Sequence, residues 1–94
     1  MSYKVKFSQA AVNDLDSIQK YIYENNKEAA QKVISHIIEK IETVILSNPA
    51  AGRPGRVLST RELVITKYPY IIPYQVRENV IFILRVLHTS RKWD

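Results

Sequence analysis

The sequence contains no cysteine, so it can form neither a disulfide nor a thiolate metal site. Its two glycines both lie between residues 52 and 55, and this segment lacks the lysine and the helix start of a phosphate-binding loop. No apolar run approaches the roughly 18–20 residues that a membrane-spanning helix needs. The start, Met1–Lys4, is not followed by the apolar segment of a secretory signal. These absences predict a soluble, cytoplasmic protein without a membrane partner.

The chain has 94 residues, which predicts a single compact domain over residues 1–94. Its two histidines, His36 and His88, are far apart and neither has a cluster of candidate ligands around it. No spacing supports a serine nucleophile. The sequence therefore predicts no metal and no cofactor.

Charge is distributed unevenly along the chain. Basic and acidic residues balance over residues 1–52, whereas the whole formal charge of +5, and every arginine, lies in residues 53–94. Such asymmetry indicates a phosphate-bearing or acidic partner for the second half. A solvated basic surface that aids solubility explains it equally well.

The first half of the chain shows strand alternation and then helical periodicity. Tyr3–Phe7 alternates apolar and basic residues, which predicts a half-buried strand. Ser8 can cap a helix, and Asn25-Asn26 separates that helix from a second one running from about Lys27 to Leu46. Two such amphipathic helices predict an αα-hairpin packed on a sheet. Their apolar stripes are Ala11, Leu15, Ile18 and Ile22, and then Ala30, Val33, Ile34, Ile37, Ile41, Val44 and Ile45.

Three strands are predicted after a loop over residues 47–55. They are Val57–Thr66, Tyr68–Val76 and Asn79–His88, joined by short turns. The continuous apolar run Val80–Leu84 is typical of a central strand covered on both faces. The predicted fold is α+β, in the order β-α-α-β-β-β, with an antiparallel sheet and an N-terminal helical hairpin on one face.

The second predicted strand has two unusual features. Pro69 and Pro73 cannot donate ladder hydrogen bonds, which predicts an interruption or an unpaired side. Strand alternation places Ile71 and Pro73 on the face opposite the helices. An open face with apolar side chains suits recognition of a protein better than binding of phosphate.

Arg85, His88 and Arg91 follow one another at intervals of three near the end of the last predicted strand. Arginines can hold a phosphate bidentately, and a histidine can move a proton near neutral pH, so together they could act on a phosphodiester. Alternatively, Arg85 pairs with a carboxylate such as Glu62 and orders the sheet, while His88 merely ends a strand.

Four blocks of the sequence resemble a subgroup of the RelE/ParE toxins. They are Gly52–Val57, Thr60–Val64, Pro69–Tyr74 and Ile83–His88, in the order and spacing of that superfamily. The first helix is also similar, so the resemblance covers essentially the whole chain. It implies the same β-α-α-β-β-β fold and the role of toxin in a toxin–antitoxin pair.

The resemblance implies one of two targets. RelE-like members cut mRNA in the ribosomal A site, where basic groups stabilise the charge on the attacked phosphate. ParE-like members lack that catalytic set and poison DNA gyrase. The positions of the RelE-type arginine and lysines hold Ile71, Glu62 and Val64 here, and the terminal catalytic arginine falls at Thr89. His88 matches a catalytic histidine of some ribosome-dependent RNases, yet Arg-Val-Leu-His also occurs in ParE-like members.

Three functions therefore remain open. The leading hypothesis is a gyrase inhibitor, the alternative is an mRNA endonuclease that uses His88, Arg85 and Arg91, and the third is a non-toxic binding module. The implied partners are a small acidic antitoxin and either gyrase or the ribosome with its mRNA, with operator DNA contacted only through the antitoxin. The residues predicted to contact the target or the antitoxin are Arg56, Arg61, Ile71, Arg85 and Trp93.

Overall fold

The computed structural model describes residues 2–90, so the predicted site residues Arg91 and Trp93 lie outside the described part. The elements follow the predicted order, with two additional short strands. They are β1 (Lys4–Phe7), α1 (Gln9–Tyr23), α2 (Lys27–Lys40), β2 (Arg53–Pro54), β3 (Arg61–Ile65), β4 (Tyr70–Arg77), β5 (Val80–Ile83) and β6 (Leu87–His88).

The predicted helical hairpin is confirmed, and side chains cap both helices. The Ser8 hydroxyl accepts the Ala11 N–H at 3.0 Å, and the Asn26 side chain accepts the Ala29 N–H at 3.1 Å. The α-helix predicted to reach Leu46 ends at Lys40 and continues as a π-helical turn over Ile41–Ile45. The stripe of α2 and this turn packs Val33, Ile37, Ile41 and Ile45 into the core shared with the sheet, and Ala30 is also buried.

The sheet has the strand order β1-β5-β4-β3-β2, and β6 also pairs with β4. Every pair is antiparallel, as predicted, except β1 with β5, which is parallel. The prediction of a wholly antiparallel sheet was wrong at this edge. A long helical connection, unlike a tight hairpin, lets the chain return to the sheet in its original direction.

A β-bulge separates β5 from β6 at Pro73. Tyr74 pairs with Ile83, and Ile71 pairs with Leu87, so two residues of β4 lie opposite three residues of the partner segment. The Pro73 carbonyl accepts the N–H of Leu84 at 2.9 Å and that of Arg85 at 3.5 Å. The strand β4 itself continues through Pro73. Of the two predicted alternatives, an interruption or an unpaired side, the structure shows the second, because Ile72 and Pro73 have no ladder partner in β5 or β6. Because one residue is inserted, the side chains beyond it exchange faces.

The strand buried on both faces is β4, whereas the sequence pattern predicted β5. Tyr70, Ile72 and Tyr74 pack in the core under the helices, and Ile71 and Pro73 are also buried on the opposite face. In β5 only Ile81 and Ile83 are buried. The other two residues of its apolar run, Val80 and Phe82, are partly exposed on the face away from the helices.

Candidate functional site

A cleft of about 540 Å³ lies between α1 and β6. His88, Tyr21 and Tyr70 supply its aromatic groups, and Asp14 supplies its carboxylate. Its remaining lining residues are Ser17, Ile18, Val86, Leu87 and Ser90. In the part of the chain that the structure describes, no lysine or arginine lines this cleft. The described lining offers apolar surface and hydroxyl groups.

Pairing with Tyr70 places His88 on the helix side of the sheet, where its imidazole is exposed. The ring packs edge-on against Tyr70 with centroids 5.7 Å apart. The Ser90 backbone N–H donates to His88 Nδ1 at 3.2 Å, and the Ser90 hydroxyl lies 2.8 Å from the same nitrogen. A nitrogen that accepts an N–H carries no proton, so the neutral ring holds its proton on Nε2.

The two tyrosines of the cleft differ in exposure. Tyr21 is 73% exposed, whereas Tyr70 is 8% exposed. Burial, and then the neighbouring Tyr21, raise the pKa of Tyr70 above its ordinary value. The Tyr70 hydroxyl therefore stays protonated at neutral pH and can donate a hydrogen bond to a ligand.

Arg85 is held by Asp14 of α1. Its Nε donates to Asp14 Oδ2 at 2.7 Å and its Nη2 donates to Oδ1 at 2.9 Å, while the Val86 N–H also donates to Oδ2 at 2.9 Å. Hydrogen bonding to Asp14 raises the pKa of Arg85 despite the opposing effect of partial burial. The prediction that Arg85 pairs with a carboxylate is confirmed, but the partner is Asp14 and not Glu62.

Arg61 fixes the loop before β2. Its guanidinium donates to the Gly52 carbonyl at 2.8 Å and to the Ala50 carbonyl at 3.3 Å. In the same loop Tyr74 Oη accepts the Gly52 N–H and donates to the Pro49 carbonyl, both at 2.8 Å. Burial raises the pKa of Tyr74, although the Gly52 hydrogen bond and the charge of Arg61 oppose this shift. Arg61 therefore serves loop structure in this state.

Glu62 is 1% exposed and is bound by the segment that precedes it. Its Oε1 accepts from Nε and Nη2 of Arg53 at 3.2 and 3.1 Å, and its Oε2 accepts the Arg56 backbone N–H at 3.2 Å. The side chain of Arg56 is left exposed by this arrangement. Among the predicted contact residues that the structure describes, Arg56 has the most accessible charge.

Ile71 does not form the exposed contact surface that the sequence predicted. It lies on the expected face, opposite the helices, but only 3% of it is exposed. Val64 of β3 and Leu87 of β6 are its cross-strand neighbours, so apolar side chains flank it on both sides. Alternation identified its face, whereas its burial depends on the two neighbouring strands.

Within residues 2–90, no group of three or more histidine, aspartate or glutamate side chains could hold a metal ion. In the same range no helix is both long enough and apolar enough to cross a bilayer.

Comparison with protein families gives a match over residues 5–93 to the ParE toxin of the type II toxin–antitoxin system parDE. The chain belongs to this family of toxins. The ParE-family chain is also 39% identical over 90 residues to the candidate toxin Y4kP of Sinorhizobium fredii, which covers 96% of this chain and 92% of that protein.

Solved structures of toxin–antitoxin systems share the fold of this ParE-family chain. The chromosomal ParDE system of P. aeruginosa matches with a TM-score of 0.83 and 29% identity, covering 93% of this chain and 96% of that one. The RelBE2 toxin–antitoxin complex of Mycobacterium tuberculosis matches with a TM-score of 0.72 and 20% identity, covering 94% and 99%. The isolated E. coli RelE toxin matches with a TM-score of 0.59 and 15% identity, covering 97% of this chain and 88% of that one.

Sequence reasoning did not identify Asp14, Ser17, Tyr21 and Tyr70 as parts of the site in this toxin. A signal for Asp14 was present, because it adjoins the stripe of α1 that faces the sheet, and Arg85 in an apolar run requires a carboxylate. The tyrosines gave no comparable signal, since aromatic residues at helix and strand positions are ordinarily core residues.

Proposed function

We propose that this ParE-family toxin arrests growth by poisoning DNA gyrase, and that it does so without cutting RNA. The observation that carries the proposal is the chemistry of the cleft at His88. A ribonuclease must stabilise the negative charge that develops on the phosphate, and it does so with preorganised cationic or hydrogen-bonding groups. Among the described residues that line the cleft there is no cation, and the one carboxylate, Asp14, is already paired with Arg85.

Two of the predicted site arginines, Arg61 and Arg85, are already engaged, and this supports the same proposal. Arg85 already satisfies the carboxylate of Asp14, and Arg61 satisfies two backbone carbonyls. Releasing either group toward a phosphate would leave a hydrogen-bonding partner unsatisfied, at a cost of about 1–3 kcal/mol. In the tautomer in which His88 Nδ1 accepts the Ser90 N–H, its Nε2 carries the proton, so this nitrogen is arranged to donate a hydrogen bond and not to accept a proton.

Purified toxin added to gyrase, ATP and supercoiled plasmid tests the proposal. We expect linear plasmid to accumulate after detergent and protease treatment, because a poisoned gyrase is trapped on cleaved DNA. The variant His88→Gln keeps a polar side chain and should trap gyrase as well as the unmodified toxin does. Unchanged supercoiling activity at micromolar toxin, with no linear product, would refute the proposal.

The alternative is a ribosome-dependent mRNA endonuclease, which the position of His88 in an open cleft favours. Primer extension on mRNA from cells expressing the toxin distinguishes the two functions. Under the gyrase proposal no new 5′ ends appear, and His88→Gln remains toxic. New cuts at codon positions that vanish in His88→Gln would establish the endonuclease instead.

We also propose a small antitoxin as the partner that silences this toxin. Tyr21 of α1, which is 73% exposed beside the cleft, gives such a segment an aromatic surface to cover. Val12 at 46% and Tyr23 at 50% are exposed on another side of the same helix. Co-expression with the neighbouring small acidic gene product should yield a stable complex. Tyr21→Ser should weaken that complex, whereas Leu58→Ser, at a side chain that is 90% exposed in the loop before β3, should not. Equal binding by both variants would place the antitoxin elsewhere.

A further inference from the structure

The face of the sheet away from the helices carries basic side chains at one edge. In β1, Val5 and Phe7 pack against the core, so Lys4 and Lys6 lie on the opposite face and are exposed. In β5, Val80 and Phe82 lie on that same face, because they are absent from the core cluster and partly exposed.

The strand register brings these residues into two rows. Lys6 pairs with Phe82, which pairs in turn with Gln75 of β4. One step along, Lys4 pairs with Val80, which pairs with Arg77 of β4. Neighbouring strands are about 4.8 Å apart, and alternate residues of one strand are about 6.7 Å apart. The three cations therefore surround Phe82 and Val80 in a patch about 10 Å wide, which we call the basic platform.

The basic platform has no internal neutralisation. Within residues 2–90, the side chains of Lys4, Lys6 and Arg77 take part in no ion pair. The strands β1, β4 and β5 contain no acidic residue. The nearest carboxylate in sequence is Glu78, in the turn after β4, while Glu62 on the same face is bound by Arg53. Among the described residues, the platform thus carries three cations that have no ion-pair partner, and these give it a positive field.

We propose that the basic platform binds single-stranded nucleic acid. Unpaired lysine and arginine side chains complement the charge of a phosphodiester backbone, and a partly exposed aromatic ring on a sheet can stack against a base. Gln75, at the end of the row through Phe82, already donates from Nε2 to the Ser59 carbonyl at 3.3 Å, which leaves its second N–H and its Oε1 for a base edge. This surface is opposite the helices and separate from the cleft at His88, so the inference does not depend on the gyrase proposal.

Fluorescence anisotropy with labelled oligonucleotides of about 16 nucleotides tests the proposal. Three phosphate contacts predict a slope of about −2 in the plot of log affinity against log salt concentration for a single strand. The double variant Lys4→Gln/Lys6→Gln should reduce that slope by about 1.4. Its matched control is Lys27→Gln/Lys32→Gln, which removes the same charge from exposed positions of α2.

A second variant tests stacking independently of charge. Phe82→Leu should weaken binding roughly 5- to 150-fold, the range observed for loss of one base–aromatic contact, with little change in the salt slope. Circular dichroism and gyrase trapping by the same preparations show whether each variant is folded. Single-stranded DNA and RNA of one sequence are compared directly, and tighter binding of either supports the proposal and identifies which strand the platform meets.

Three results would overturn the inference. One is an equal loss of affinity in both lysine double variants, which would mean that only the net charge of the protein matters for binding. Lys4 and Lys6 would then merely protect the edge strand β1 from pairing with another chain. Another is an unchanged affinity in Phe82→Leu. The third is a preference for duplex DNA over single strands. Any of these together with intact gyrase trapping would refute the platform while leaving the proposed function standing.

Discussion

Replacing Asp14 with asparagine should destabilise the toxin because it removes the charge that holds α1 to the β5–β6 segment. The carboxylate accepts three hydrogen bonds, two from Arg85 and one from the Val86 N–H. An asparagine of the same shape keeps one accepting oxygen and turns an NH₂ group toward donors. A hydrogen bond to a charged group contributes about 1.5–3 kcal/mol, and loss of one partner from a fully buried pair costs about 3–5 kcal/mol.

Because Asp14 and Arg85 are partly exposed, the expected loss of unfolding free energy is smaller than for a fully buried pair. The Asp14 side chain is 14% exposed and that of Arg85 is 34% exposed, so solvent partly screens the charges. We expect a loss of about 2 kcal/mol. With a urea m-value near 1 kcal/mol per molar for a small domain, the unfolding midpoint should fall by about 2 M.

Asp16→Asn is the matched control on the same helix. Its carboxylate lies 3.1 Å from Lys20 Nζ, but the two side chains are 59% and 75% exposed, so the change should stay within about 0.5 kcal/mol. Urea unfolding followed by circular dichroism measures both variants. If Asp14→Asn costs no more than Asp16→Asn, or if its effect adds fully to that of Arg85→Gln, the contact does not stabilise the fold.

Three further substitutions test the loop and its anchors by the same measurement. Tyr74→Phe leaves the Gly52 N–H without its acceptor and should cost about 1–3 kcal/mol. Because the folded pKa of Tyr74 is raised, its contribution is present below about pH 10 and is lost as pH rises through that pKa, so this variant should lose less stability in alkali. Gly52→Ala would place a Cβ 2.6 Å from Tyr74 Oη and should cost at least about 2 kcal/mol, whereas Ala51→Gly should stay within about 1 kcal/mol. Glu62→Gln should cost about 1–2 kcal/mol, because its partner Arg53 is 55% exposed and can be rehydrated. An unchanged unfolding midpoint in Tyr74→Phe, Gly52→Ala or Glu62→Gln would show that the corresponding contact does not stabilise the fold.

Local patterns in the sequence predicted the helices well. The caps Ser8 and Asn26 and the apolar stripes depend on residues within a few positions of each other, so each can be identified without knowing the fold. The same holds for the face of Ile71. Its burial was not predictable in this way, since it depends on Val64 and Leu87 on neighbouring strands.

Contacts between distant parts of the chain were the ones that sequence reasoning missed. Asp14 and Arg85 are 71 positions apart, and no periodicity links them. The parallel pairing of β1 with β5 was missed for the same reason. The sequence also predicted that β5 is covered on both faces, because the half-exposed Val80 and Phe82 are as apolar as core residues. The resemblance to toxins supplied the family, but it did not indicate that Arg85 and Arg61 are already engaged.

The single extra residue opposite Pro73 lets the last part of the sheet keep its pairing although its chain is one residue longer than that of its partner. Three residues lie between Ile83 and Leu87, whereas two lie between Ile71 and Tyr74, so Leu87 still pairs with Ile71 and His88 with Tyr70. Paired residues share a face of the sheet, so the imidazole reaches the cleft through its pairing with Tyr70 and not through the number of residues before it. Relatives that lack the extra residue would therefore keep the imidazole beside α1, but they would lose the local bend and the stronger twist that a bulge gives to a sheet.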